Sequence, residues 1–143
     1  MANNSSSVDW DENFKRLLSG IAKRPSVYVG CDSLKLVFCF INGYAAAVQD
    51  AGQTARLDGF ADFIYAKHQV FHPMINFVDV IEAAYHQRAV GALPKIFDEF
   101  FEVRRKLSAE EIFHWRKSVI RERYGAEIGV PDDFASLMNH TCL

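Results

Sequence analysis

The sequence lacks the local patterns that indicate a catalytic site. It contains no Gly-x-Ser-x-Gly nucleophile elbow and no glycine-rich phosphate loop, so neither that type of hydrolase nor a nucleotide-binding loop is predicted. Its three cysteines, Cys31, Cys39 and Cys142, are an odd number without metal-type spacing. This usage fits a reducing compartment better than a secreted disulfide framework. We therefore expect no catalytic residue, no metal and no cofactor.

Basic charge and long apolar runs are also scarce. Sixteen Lys and Arg stand against eighteen Asp and Glu, a net charge of -2, whereas a nucleic-acid binder usually carries a basic excess. The longest apolar stretch, residues 34–48, is too short to cross a bilayer and is interrupted by Lys35, Asn42 and Gly43. Residues 2–7 lack the basic start and apolar core of a signal peptide. These absences predict a cytoplasmic protein that binds neither nucleic acid nor a membrane.

The five histidines give no clear ligand set for a metal. His68 and His72 are four residues apart, which is a ligand spacing only if both lie on one helix. Pro73 disfavours a helical conformation at His72, and His86 and His114 fall in separate predicted helices. We therefore expect capping or surface roles for these side chains.

Apolar residues are plentiful and recur with a helical period. A chain of 143 residues fits one domain, and its 50% of hydrophobic residues can supply a core. The pattern predicts an all-α, single-domain bundle of about six helices over residues 9–143, after a disordered N-terminus of residues 1–8. The predicted helices begin near Asp9, Leu34, Leu57, Pro73, Pro94 and Ser108, and a last short turn covers residues 131–138.

The connection between the first two helices has its own signals. Gly20 is expected to end the first helix, and Arg24 to be extended because it precedes a proline. Residues 26–29 alternate like a short strand, and Gly30 predicts a left-handed turn. The second helix, residues 34–51, is apolar nearly all round, which predicts that it occupies the centre of the bundle.

Two stretches resemble known families. Residues 23–30 resemble a Lys-Arg-Pro-Gly-Met-Tyr-Ile-Gly segment of type II topoisomerase ATPase domains, but the next helix has no Glu and no glycine-rich lid follows, so we reject this likeness. A longer pattern resembles small helical immunity proteins of bacterial polymorphic and type VI secretion toxin systems. Its first block is Arg24-Pro25-x-x-Tyr28-x-Gly30, followed by Ser33-Leu34 and Phe40-Ile41-x-Gly43-Tyr44.

The resemblance to immunity proteins extends over roughly residues 17–105. It continues with Gly59-Phe60-x-x-Phe63-Ile64 and Phe97-x-x-Phe100-Phe101. It implies a helical protein without catalytic activity that binds a cognate toxin and blocks its active site. Because immunity proteins diverge where they meet their toxins, the shared first block implies a fold-holding turn, with Tyr28 packed on the bundle.

Two other classes of function stay open at this point. One is a small helical enzyme or ligand-binding domain with a pocket among the aromatic side chains. The other is a helical adaptor or oligomerising module, and the sequence leaves the oligomeric state undetermined.

Acidic side chains of the predicted third and fourth helices form the candidate partner-binding site. Asp58 and Asp62 are four residues apart, and Asp79 and Glu82 are three apart, so each pair would share a helix face. Residues 57–82 carry these four acids against the single Lys67. Toxins that act on nucleic acids or nucleotides have basic clefts. We therefore expect the acidic face to plug such a cleft, with complementary charge speeding the encounter.

Overall fold

Helices make up the regular structure of the described chain. The computed structural model describes residues 5–52, 57–70 and 75–125, and within these ranges no β-strand forms. The predicted all-α fold is therefore confirmed. The α-helices are α1 (Ser5–Lys23), α2 (Pro25–Val29), α3 (Leu34–Asp50), α4 (Phe60–His68), α5 (Phe77–Tyr85), α6 (Ala89–Lys106) and α7 (Ala109–Tyr124), and a short 3₁₀ helix, η1 (His86–Arg88), joins α5 to α6.

Four helices begin at other residues than the sequence predicts. α4 begins at Phe60 instead of near Leu57, and α6 begins at Ala89, so Pro94, expected at its beginning, lies inside that helix. α1 begins at Ser5, so residues 5–8, expected to be disordered, already belong to it.

α5 begins at Phe77, because Asn76 and Asp79 form a capping box. The side chain of Asn76 accepts a hydrogen bond from the backbone N–H of Asp79, and the carboxylate of Asp79 accepts one from the backbone N–H of Asn76. Residues 1–4, Pro73 and the predicted turn at 131–138 lie outside the described residues.

The segment predicted to be a short strand is helix α2. Arg24 is indeed non-helical, with φ -144° and ψ 67°, but Pro25 takes the first helical position, which suits its fixed φ. α2 then runs to Val29 and ends at Gly30, whose φ of 83° lies in the left-handed region. The backbone N–H of Gly30 donates to the carbonyl of Ser26 at 3.0 Å. Arg24 is therefore non-helical but not extended, residues 26–29 are helical, and the left-handed turn at Gly30 is confirmed.

Gly20 does not end α1, which continues to Lys23. A Cβ atom built on Gly20 would lie 2.5 Å from the Oη atom of Tyr28, so the glycine makes room for the tyrosine ring. Tyr28 also packs edge-on against Phe40 of α3, with ring centroids 6.0 Å apart. The expected packing of Tyr28 on the bundle is confirmed, and it ties α2 to both α1 and α3.

Fully buried phenylalanines from three helices meet at the centre of the bundle. Phe60 of α4 and Phe97 of α6 stack almost parallel, with centroids 4.3 Å apart. Phe14 of α1 packs edge-on against Phe97 at 5.1 Å, and Phe100 of α6 packs edge-on against Phe60 at 5.2 Å. Such offset and perpendicular ring pairs add about 0.5–1.5 kcal/mol each beyond the burial of their area. α6 is therefore the helix at the centre of the core.

The prediction that the second helix, α3, lies at the centre is wrong. One side of α3 is buried and carries Leu34, Val37, Phe38 and Ile41. Its other apolar side stays exposed, with Leu36 43% accessible. An apolar pattern on both sides shows that a helix could be enclosed, but it does not show that a second partner helix is present.

α4 and α7 approach each other closely at Gly59, the residue that precedes α4. Gly59 has a φ of 88°, and a Cβ atom built on it would lie 3.3 Å from the Cα atom of Ala109. A side chain here would meet both an unfavourable backbone conformation and the backbone of α7.

We expect Gly59→Ala to lower the free energy of unfolding by about 1–3 kcal/mol, because the alanine must adopt a left-handed conformation against Ala109. Gly91→Ala in α6 is the matched control, since an added Cβ there meets nothing within 4 Å. The control should keep or raise stability by up to about 1 kcal/mol through helix propensity. Urea unfolding followed by circular dichroism measures both, and equal stabilities would contradict the constraint at Gly59.

Candidate functional site

The four predicted partner-binding acids do not form one exposed face. Asp58 is exposed but lies in the turn before α4, and Asp62 is only 4% accessible. Asp79 caps the start of α5, and Glu82 is half-buried further along the same helix. Asp62 and Asp79 thus have structural roles, in an ion pair and in a helix cap respectively. The shared acidic face is therefore a wrong prediction for Asp62, which points into the protein.

Asp62 pairs with Arg116 between α4 and α7. An Nη atom of Arg116 donates to Oδ1 of Asp62 at 2.6 Å, and both side chains are less than a tenth exposed. The guanidinium also lies over the ring of Tyr65, with Cζ 4.3 Å from the ring centroid. The hydroxyl of Tyr65 donates in turn to the carbonyl of Ile75 at 3.0 Å. This cluster therefore joins α7 and α4 to the segment that leads into α5.

Burial governs the ionisation of this cluster. Burial raises the pKa of Asp62, while the hydrogen bond and the positive charge of Arg116 oppose the rise. Burial also raises the pKa of Tyr65; Arg116 lowers it, and the charges of Asp62 and Asp79 raise it further. A buried ion pair of this kind is costly to break, because the remaining charge is left without a partner. Asp62 is therefore a structural residue.

The sequence contained a weak signal for Arg116. The residue lies four positions after Ile112 and four before Ile120, which places all three on the buried side of α7. Charged residues are rarely fully buried unless they are paired, so the pattern gives no reason to place Arg116 inside until Asp62 is also found there.

Lys67, the single lysine in the acidic segment of residues 57–82, forms an ion pair with Glu99 of α6. Burial would lower the pKa of Lys67, but the hydrogen bond to Glu99 and the influence of Tyr85 outweigh it, so the pKa lies above its usual value. Burial lowers the pKa of the adjacent His68, and the charge of Lys67 lowers it further. The positive charge of Lys67 is thus already paired with the carboxylate of Glu99 within the protein.

A cleft of about 810 Å³ opens between the beginning of α3 and the α5–α6 connection. We call it the junction cleft; its polar lining residues are Asp32, Ser33, Glu82, His86 and Gln87. A neighbouring hollow of about 620 Å³ shares Asp32 and Gln87 with it and includes Lys23 and Arg88. Two carboxylates from distant parts of the sequence therefore line one concave surface.

Local structure on both sides positions these carboxylates. On one side, Gly30 ends α2 and Ser33 caps α3 by accepting the backbone N–H of Leu36 at 3.4 Å, which places Asp32 at the cleft. On the other side, Glu82 projects from the last turns of α5, and its carbonyl accepts the backbone N–H of His86. The cleft thus lies where the ends of α2 and α5 come close to the beginning of α3.

The backbone at His86 is strained. Its φ of 52° and ψ of -126° correspond to a turn position that glycine normally occupies. Gln69 also has a positive φ, but its ψ of 41° gives it the ordinary left-handed conformation found at helix ends. A conformation such as that of His86 costs on the order of 1–3 kcal/mol and persists only where the surroundings fix it. The sequence gives no sign of it, because the residue is not a glycine.

No metal site, membrane span or known family identifies a function for the described residues. Among residues 5–52, 57–70 and 75–125, no three or more His, Cys, Asp or Glu side chains come together in a way that could hold a metal ion. None of the helices described in those ranges combines the length and apolar character needed to cross a membrane. Comparison with protein-family models, with curated proteins and with solved structures gives no match.

We expect His86→Gly to be more stable than His86→Ala by about 1–2 kcal/mol. Both variants remove the imidazole, but only glycine relieves the backbone strain. The difference between their free energies of unfolding therefore measures the strain. Urea unfolding of the two variants measures this difference. If the alanine variant is as stable as the glycine variant, the backbone at His86 is not strained.

Arg116→Met should lower the free energy of unfolding by about 3–5 kcal/mol at neutral pH, because it leaves the Asp62 carboxylate buried and unpaired. The loss should shrink on acidification. Without Arg116, the pKa of Asp62 in the folded protein rises further above its unfolded value, so stability is regained as the pH falls and Asp62 takes up a proton.

The control for this prediction removes both charges. Asp62→Leu together with Arg116→Met should recover much of the lost stability and differ from the original protein by an amount that changes less with pH. Urea unfolding at pH 5 and pH 8 measures all three proteins. A loss for Arg116→Met that is independent of pH would mean that Asp62 is not the group left unpaired.

Proposed function

We propose that this chain is an immunity protein, which binds a cognate bacterial toxin in the cytoplasm and blocks the active site of that toxin. The observation that carries the proposal is the junction cleft, which Asp32, Glu82 and the strained residue His86 line together. The resemblance in residues 24–44 to small helical immunity proteins supports the same class.

The chemistry of the cleft favours a basic group of the partner. Two carboxylates can accept several charge-assisted hydrogen bonds from a guanidinium or an ammonium group, and the amide of Gln87 can add another. Toxins that act on nucleic acids or nucleotides need such basic groups to hold phosphates. A basic active-site side chain that enters the cleft would be withdrawn from the substrate of the toxin.

The backbone structure around the cleft supports a binding role. The cleft is lined by helix ends and by η1, and strained backbone conformations concentrate at functional sites. A surface that is already in its binding conformation loses little entropy when the partner docks. Of the four acids expected to bind the partner, the proposed site keeps Glu82, adds Asp32 and leaves out Asp58, Asp62 and Asp79.

A small-ligand site is the second candidate function. The volume of about 810 Å³ falls within the range of ligand-binding cavities in proteins. The pocket does not lie among the core phenylalanines, as the sequence-based alternative supposed, because those rings pack against one another. A ligand would instead occupy the same cleft as the toxin group.

The test is co-expression with the C-terminal domain of the protein encoded by the adjacent gene, followed by measurement of binding and of growth protection. Asp32→Asn with Glu82→Gln should weaken binding at least tenfold, and the loss should be largest at low salt. Glu12→Gln with Glu122→Gln removes the same charge from exposed positions on α1 and α7 and should leave the affinity unchanged.

Equal affinities for the two double variants would contradict docking at the junction cleft. If the adjacent gene product neither binds nor is toxic, the immunity function itself is contradicted. A small molecule that co-purifies with the chain, detected by native mass spectrometry and lost in Asp32→Asn with Glu82→Gln, would support the second candidate.

A further inference from the structure

The exposed side of α3 has the spacing of a helix-pairing surface. Leu36, Cys39, Gly43, Ala46 and Asp50 follow one another at intervals of three, four, three and four residues, and all are exposed. This is the alternation of the positions that face the partner in paired helices. Together with Ala47, which is also exposed on this side, we call these residues the α3 face.

The charges of α3 favour pairing with a second copy in one direction. In its 17 residues the helix carries only two charged side chains, Lys35 near its beginning and Asp50 at its end. Two copies of α3 that run antiparallel place Lys35 of each near Asp50 of the other. A parallel pair would place like charges together at both ends. The antiparallel pair is also self-complementary, as a two-fold symmetric interface must be.

The middle of the face permits close contact between helices. When Lys35 is opposite Asp50, the two-fold axis passes next to Gly43, halfway between them in the sequence. A Cβ atom built on Gly43 would meet nothing within 4 Å, so the surface there is open. Two glycines at the crossing point, flanked by Ala46 and Ala47, let the backbones approach and increase van der Waals contact.

We propose that the chain forms a two-fold symmetric homodimer through the α3 face, with the helices antiparallel and crossing at Gly43. At about 1.5 Å per residue the paired helices are only about 25 Å long, so the contact between them is short. α2 borders the face where Tyr28 contacts Phe40, and it adds the 72% exposed side chain of Val27. We therefore expect a dimer that dissociates at micromolar concentrations.

The dimer is compatible with the junction cleft but independent of it. Leu34 lines the cleft, and Leu36, two positions and about 200° further round the helix, belongs to the α3 face. The two surfaces therefore lie on opposite sides of α3. A dimer would leave both clefts open, and its test needs no toxin, so its failure is distinguishable from failure of the proposed function.

Sedimentation velocity over micromolar to submillimolar concentrations tests the association. The original chain should pass from monomer to dimer, and Gly43→Glu should weaken association at least tenfold, because two carboxylates would meet at the crossing point. Gly91→Glu is the matched control, since Gly91 is also an exposed helical glycine with open space around it, and it should leave the association unchanged.

Charge reversal tests the direction of the helices. Lys35→Asp and Asp50→Lys should each weaken dimerisation, because each places like charges at both ends of the antiparallel pair. The two replacements together should restore it, since the opposite charges again face each other. In a parallel dimer, neither single replacement would create a new repulsion between like charges, so unchanged association of both would contradict the proposed arrangement.

Two results would overturn the proposal. The first is a chain that stays monomeric at all concentrations, and the second is a dimer that Gly43→Glu leaves intact.

Discussion

The ion pair between Asp62 and Arg116 constrains the arrangement of the helices around it. It closes one side of α4 against α7, while Phe60 holds the other side of α4 against Phe97 in the core. Arg116 also stacks on Tyr65, whose hydroxyl holds the carbonyl of Ile75 just before α5. A buried pair tolerates little displacement, because any separation leaves a charge without compensation in a poorly solvated place. The position of α5 therefore follows from the packing of α4.

The short connection between α5 and α6 accounts for the strain at His86. The far end of α5 must connect to α6, which is fixed in the core through Phe97 and Phe100, and only the three residues of η1 separate the two helices. So short a connection leaves the chain few ways to change direction, and His86 takes the conformation that closes it. The junction cleft forms beside this turn, where η1 meets the loop that carries Asp32. Its shape is thus set by the core, and its charge by two acids that the core leaves accessible.

Helical periodicity predicted the fold class because it depends only on local spacing along the chain. Which face of a helix is covered depends on neighbours that are distant in sequence, and there the predictions failed. Taken alone, Asp62 is expected to be a solvated acid on the surface of a helix. Its burial is predictable only when the opposing Arg116, 54 residues later, is also considered. α3 is expected at the centre of the bundle because both its sides are apolar, although other helices cover only one of them. Similarly, no local pattern connects Asp32 with Glu82, and a positive φ is predictable at Gly30 but not at His86.

Hydrogen–deuterium exchange of the chain, alone and bound to the toxin domain encoded by the adjacent gene, tests the central claim most directly. Docking at the junction cleft predicts slower exchange on binding in residues 30–34 and 82–90, the two segments that line the cleft. Peptides from α7 should be unaffected. Protection confined to α1 or α7, with no change in residues 30–34 and 82–90, would contradict the account.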